Sequence, residues 1–178
     1  FSHEVIIQRI NADLANNLGN LAQRSLSMIN KNCEGVVPEC GDLGDEDTAL
    51  LEAAAGLLGS VRDDSDQQAF HSALEKIWVV VRAANAYIDH QAPWALKKTD
   101  PARMMTVLYT LAETVRRLAI LVQPVVPDAS ANLLDQLAVP LEARDFTALG
   151  TTCGLASGTK LPKPKGVFPR YVVETSTG

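Results

Sequence analysis

The sequence predicts an all-α protein, a bundle of about five helices over residues 1–150 closed by an irregular, partly ordered strap over 151–178. Three observations carry that expectation. Apolar residues recur three and four apart in several long stretches. The breaks between them are rich in Gly, Pro, Asp and Ser. Read this way the chain gives five helices with almost no strand, so helices packed on helices are the economical architecture.

Ser2 can cap the first helix, with Glu4 favourably placed in its first turn. Ile6, Ile10, Leu14, Leu18 and Leu21 form its apolar stripe, and the pattern runs to about Asn30. Gly19 lies inside this helix, where it costs about 1 kcal/mol against Ala. Either a neighbouring helix or a ligand approaches closely there. A second face carries Asp13, Asn17, Asn20 and Arg24. Asn and Asp compete with the helix backbone for hydrogen bonds, so a merely solvated face would favour Glu, Lys and Gln. Amides and a guanidinium fork on one face are instead suited to hydrogen-bonding a ligand. Asn20 and Arg24, four residues apart, project one turn from each other.

Residues 31–47 read as a loop, with Cys33 and Cys40 as incidental thiols. The second helix is expected from Asp47 to about Arg62, with Leu50, Leu51, Ala54, Leu57, Leu58 and Val61 inward. Ser65 with Gln68 matches a capping box and starts the third. That helix turns Phe70, Leu74, Ile77, Trp78, Val81, Ala84 and Ile88 to the core. Arg82, Asn85 and Asp89 form a polar line along it, a candidate support for the polar face of the first helix. Pro93 ends the third helix, because it lacks a donor and drives Ala92 out of the α region. Trp94 then either covers the end of the core or offers an open ring on which a base can stack. His90 reads as a polar helix-end residue. Lys97 and Lys98 follow, either solvated or touching phosphates.

Asp100 and Pro101 open the fourth helix as cap and first-turn residue. Met104, Leu108, Leu111, Val115, Leu118, Ala119 and Val122 form its buried stripe, and Arg116 and Arg117 are expected to be solvated or interdomain. Pro127 starts a fifth helix reaching about Leu137. Residues 139–149 read as irregular, with one turn around Phe146. The strap cannot form its own core, yet Val167, Phe168, Tyr171, Val172 and Val173 require something to pack on.

Composition narrows the function. The chain is 47 % hydrophobic and 21 % charged, ordinary for a globular domain large enough to hold a core. A net charge of −5 argues against coating duplex DNA by charge. It leaves open reading an unpaired RNA loop by stacking and base-edge hydrogen bonds. No apolar run has membrane-spanning length. The three cysteines have no short-spaced pair, so reduced thiols in a cytoplasm are expected rather than zinc or a disulfide framework. His3, His71 and His90 share no nucleophile motif, and no glycine-rich phosphate loop is present. The chain starts at Phe1 within a helical pattern, as a piece of a longer protein would.

The string Asn-Leu-Gly-Asn-Leu-Ala-Gln-Arg at 17–24 and the string Asp-His-Gln-Ala-Pro-Trp at 89–94 resemble the anticodon-binding domain of bacterial methionyl-tRNA synthetases. Leu-Pro-Lys-Pro at 161–164 and Phe-Pro-Arg at 168–170 extend the resemblance. It implies that the chain binds the anticodon loop of tRNA(Met), as the C-terminal part of a methionine–tRNA ligase. It also implies that Asn20 and Arg24 hydrogen-bond anticodon bases, that Trp94 is the stacking platform, and that Pro93 holds Trp94 in place. Asn17 is implicated as a neighbour. The strap would fold back towards the catalytic domain of the same parent chain. ATP and methionine would bind that domain. This chain would carry no cofactor or metal and, lacking the synthetase nucleotide-binding motifs, would be inactive alone. Competing readings are an appendage of the cysteine, valine or isoleucine enzymes, a helical protein-interaction module, and an independent enzyme.

Overall fold

A computed structural model describes residues 3–62, 67–150 and 154–165. In chain order the helices are α1 (His3–Asn32), α2 (Asp45–Arg62), α3 (Gln67–Gln91), α4 (Pro93–Thr99), α5 (Pro101–Leu121) and α6 (Pro127–Gln136). Two 3₁₀ turns follow, at Leu141–Ala143 and Phe146–Gly150. Among the described residues there is no strand, only one antiparallel bridge between Val36 and Lys160. The helical bundle is therefore the observed architecture. The expected turn around Phe146 is present as the second 3₁₀ turn.

The stripe of α1 buries Leu14, Leu18 and Leu21 and continues through Leu26 and Ile29. Its leading end does not follow the pattern: Ile6 is 46 % exposed. Gly19 is buried. Leu50, Leu51, Ala54 and Leu57 of α2, and Leu74, Ile77, Val81, Ala84 and Ile88 of α3, are buried as their spacing predicts. Trp78 is half-buried against the same core. The expected caps at Ser2 and Ser65, Cys153, and the apolar residues of the strap from Val167 to Val173 lie outside the described residues. The side chains of Leu58, Val61, Gln68 and Phe70 do so as well.

Helix α5 is the axis of the fold. It packs against α1, α2, α3, α4 and α6, and every residue from Thr106 to Leu121 is buried. A helix enclosed on all sides has no solvated face for its polar residues. Thr110 and Thr114 satisfy theirs by donating to the carbonyls of Thr106 and Thr110, one turn back, at 2.8 and 2.7 Å.

Arg116 and Arg117 correct a sequence expectation, since both are buried. Glu113 accepts from Arg116 Nε at 2.9 Å and Nη2 at 2.6 Å, and from Arg117 Nε at 2.9 Å. Arg117 Nη1 also donates to the Leu51 carbonyl of α2 at 2.8 Å, and Arg116 Nη2 to the Ala148 carbonyl at 3.3 Å. Buried guanidinium groups need a carboxylate and further acceptors of this kind. The strap completes the cluster. The Leu155 amide donates to Glu113 at 3.0 Å, and Tyr109 Oη of α5 donates to the Leu155 carbonyl at 2.8 Å. Gly154 is required beside it, because a Cβ there would sit 2.0 Å from Arg116 Nη2.

The strap also pairs with the chain leaving α1. Val37 N donates to the Thr159 carbonyl at 2.9 Å, Gly158 N to the Val37 carbonyl at 2.9 Å, and Leu161 N to the Gly35 carbonyl at 2.8 Å. Leu155 and Leu161 are buried, so the described part of the strap is fastened by backbone pairing and by apolar anchors.

Candidate nucleic-acid interface

The Pro93–Trp94 corner is one residue long. Ala92 N closes α3 on the Ile88 carbonyl at 2.9 Å, and the Ala92 carbonyl accepts from Ala95 N of α4 at 2.9 Å. Between the two helices Ala92 adopts a left-handed conformation, φ 46° and ψ 62°. A following proline disfavours the right-handed region at this position. Pro93 then starts α4, where its missing donor costs nothing, and is buried. Trp94 comes next and is 54 % exposed. The third helix therefore ends here as expected, but a short helix that the sequence did not announce follows at once, and the indole does not seal the core. Lys97 and Lys98 lie exposed in the last turn of α4.

A polar cluster beneath the corner had no signal in the sequence. Asp47 of α2 is fully buried. It accepts the fork of Arg103 of α5 at 2.5 and 2.8 Å, the Tyr87 hydroxyl of α3 at 2.5 Å and the Gly44 amide at 2.8 Å. Arg103 Nη2 also donates to Gln91 Oε1 at 3.0 Å, and Gln91 Nε2 donates to Glu46 of α2. His90 Nδ1 lies 3.2 Å from the same Glu46 carboxylate. Burial alone would push the Asp47 carboxyl up. The hydrogen bonds from Arg103, Tyr87 and Gly44 outweigh it and hold Asp47 below its ordinary value of 3.8. Burial, then the bond to Asp47, push the Tyr87 phenol up.

A depressed carboxyl stabilises the fold above its unfolded pKa, and that contribution fades as pH falls through the folded one. The destabilisation caused by Asp47→Asn is therefore expected to be full at neutral pH and to shrink as pH falls below the ordinary carboxyl value of 3.8. Thermal midpoints of the two proteins measured across that range check it.

The polar face of α1 meets α3 just before this corner. Arg24 Nη2 lies 2.8 Å from Asp89 Oδ1, and Arg24 Nη1 is 3.4 Å from Asn85 Oδ1. Two members of the polar line on α3 thus hold Arg24, five residues before Trp94 in the case of Asp89. Both partners of the Arg24–Asp89 pair are well exposed, so the pair contributes only about 0–1 kcal/mol and can be exchanged for another partner at little cost. Asn20 is exposed. Asn17 is half-buried, and its amide donates to the Asp13 carbonyl of its own helix at 2.8 Å. Among the described residues no group of acidic, His or Cys side chains could hold a metal ion, and no helix is long and apolar enough to cross a membrane.

A family described as the anticodon binding domain of methionyl tRNA ligase matches residues 37–176. The chain belongs to this family. The methionine–tRNA ligase of Rhizobium meliloti is 56 % identical over 172 residues, covering 97 % of this chain and 33 % of the relative. That of Mycobacterium leprae is 53 % identical over 175 residues, covering 96 % and 32 %. The apo methionyl-tRNA synthetase of Mycobacterium tuberculosis superposes with a TM-score of 0.84 at 50 % identity, over 96 % of this chain and 35 % of that one. The same enzyme in complex with methionyl-adenylate gives the same TM-score. The chain spans about a third of the length of these relatives.

Proposed function

We propose that this anticodon-binding domain recognises the anticodon loop of tRNA(Met) within a methionine–tRNA ligase that acts in the cytoplasm. The observation that carries the reading is an indole left open on a fixed helix–helix corner, with Arg24 laid against the helix that leads into it. Trp94 is the stacking platform, and Pro93 is the buried residue that anchors it. Asn20 and Arg24 present amide and guanidinium groups to the edges of unstacked bases. Asn17 belongs to the same face as a neighbour, since its amide is already engaged with α1. ATP and methionine, and the catalytic step, belong to the catalytic domain of the parent chain, so this chain alone is expected to be inactive.

The test is a titration of the chain against a methionine-anticodon stem-loop and a scrambled-loop control at one stated salt concentration. Preference for the methionine loop supports the reading; equal affinity for both defeats it. In the parent enzyme, Arg24→Gln is expected to relax discrimination among anticodons. Aminoacylation of tRNAs with altered anticodons measures this, and an unchanged preference counts against base readout by Arg24.

A further inference from the structure

The corner that presents Trp94 is left-handed at an alanine, a conformation that persists only where its surroundings over-determine it. Its immediate surroundings are a clamp on the last turn of α3. Gln91, the residue before Ala92, reaches Glu46 of α2 with its amide nitrogen and receives Arg103 of α5 on its oxygen. Arg103 cannot swing away, because its fork is seated on the buried Asp47 carboxylate. Asp47 is fastened in turn to α3 through Tyr87. The end of α3 is thereby tied to α2 on one side and to α5 on the other, next to the residue whose backbone sets the direction of α4.

We infer that Gln91 and Arg103 are positioning residues for anticodon recognition: they fix the attitude of the Trp94 indole without touching RNA. The inference rests on the stacking role proposed for Trp94. An amide suits the task, because it donates to Glu46 and accepts from Arg103 at once. Leucine at this position would keep the bulk and lose both ties. Glu46 is exposed, so the Gln91 bridge adds little to global stability. Its loss is expected to show in the indole rather than in the fold.

The experiment uses a Trp78→Phe background, which leaves Trp94 as the one remaining tryptophan of two. Gln91→Leu is compared with Gln91 for indole depolarisation in time-resolved fluorescence, for thermal midpoint, and for affinity towards the methionine-anticodon stem-loop. The expected result is faster local motion of the indole and about tenfold weaker stem-loop binding. The midpoint should stay within about 3 °C. Pairing Glu46→Gln with Gln91→Glu swaps donor and acceptor while keeping both ties, so it is expected to recover slow indole motion and affinity. The inference is overturned if Gln91→Leu leaves indole motion unchanged, if it simply lowers the midpoint by much more, or if the paired exchange recovers nothing. If the unsubstituted chain ignores the stem-loop but the indole still responds to Gln91→Leu, the tRNA reading fails and the positioning stands. If binding depends on Trp94 but neither binding nor motion depends on Gln91, the reverse holds.

Discussion

Replacing Glu113 with Gln is expected to lower stability by about 3–5 kcal/mol, the usual result of leaving a buried charge without its partner. Glu113 is fully buried, and its two oxygens receive four donors: two from Arg116, one from Arg117 and one from the Leu155 amide. A glutamine keeps one acceptor and turns an NH₂ group towards donors. Two guanidinium groups then lack a counter-charge in a place water does not reach. Urea unfolding checks this through a lower midpoint at unchanged slope; a loss below about 1 kcal/mol would show that the arginines find other acceptors. The cluster is not thereby a net source of stability, since apolar residues packed into the same volume can do as well or better. Its effect lies in what it joins: α5, the α2 backbone, the turn at Ala148 and the strap.

Trp94→Ala is expected to weaken stem-loop binding by about 1–3 kcal/mol, roughly 5- to 150-fold, the range for removing a platform under one base. The indole is more than half exposed, so the urea midpoint should barely move. That separation marks a binding role, because a ring that completed the core would shift both measurements. Full affinity in the variant would remove Trp94 from the site.

The parts of this molecule that sequence made legible are those written in local periodicity. The stripe through Leu14, Leu18 and Leu21 and the breaks before Pro93, Pro101 and Pro127 locate helices without tertiary information. Arg116 and Arg117 show the limit. A Glu followed at three and four residues by Arg is also the pattern of a solvated helix face. Only the wrapping of α5 by five other helices and the strap makes it an interior cluster. The corner at Ala92 is similar: proline announces a break, but nothing local says that one left-handed residue suffices and that a second helix starts at once. In the candidate site, Asn20, Arg24 and Trp94 are legible through short strings of family resemblance, and the line of Asn85 and Asp89 through spacing on α3. The clamp beneath them was not. Tyr87 and Arg103 reach Asp47 from 40 and 56 residues away, and Gln91 reaches Glu46 from 45. Pairings at that distance leave no trace in any window of sequence.

The strap's tie to Glu113 also has a bearing on the order in which the protein assembles. Leu155 is made 42 residues after Glu113. On the ribosome, α5 emerges with its central carboxylate one donor short, and it stays so while α6 and both 3₁₀ turns are translated. The nascent bundle can gather its apolar faces early, but its interior is electrostatically finished only once Leu155 has left the exit tunnel.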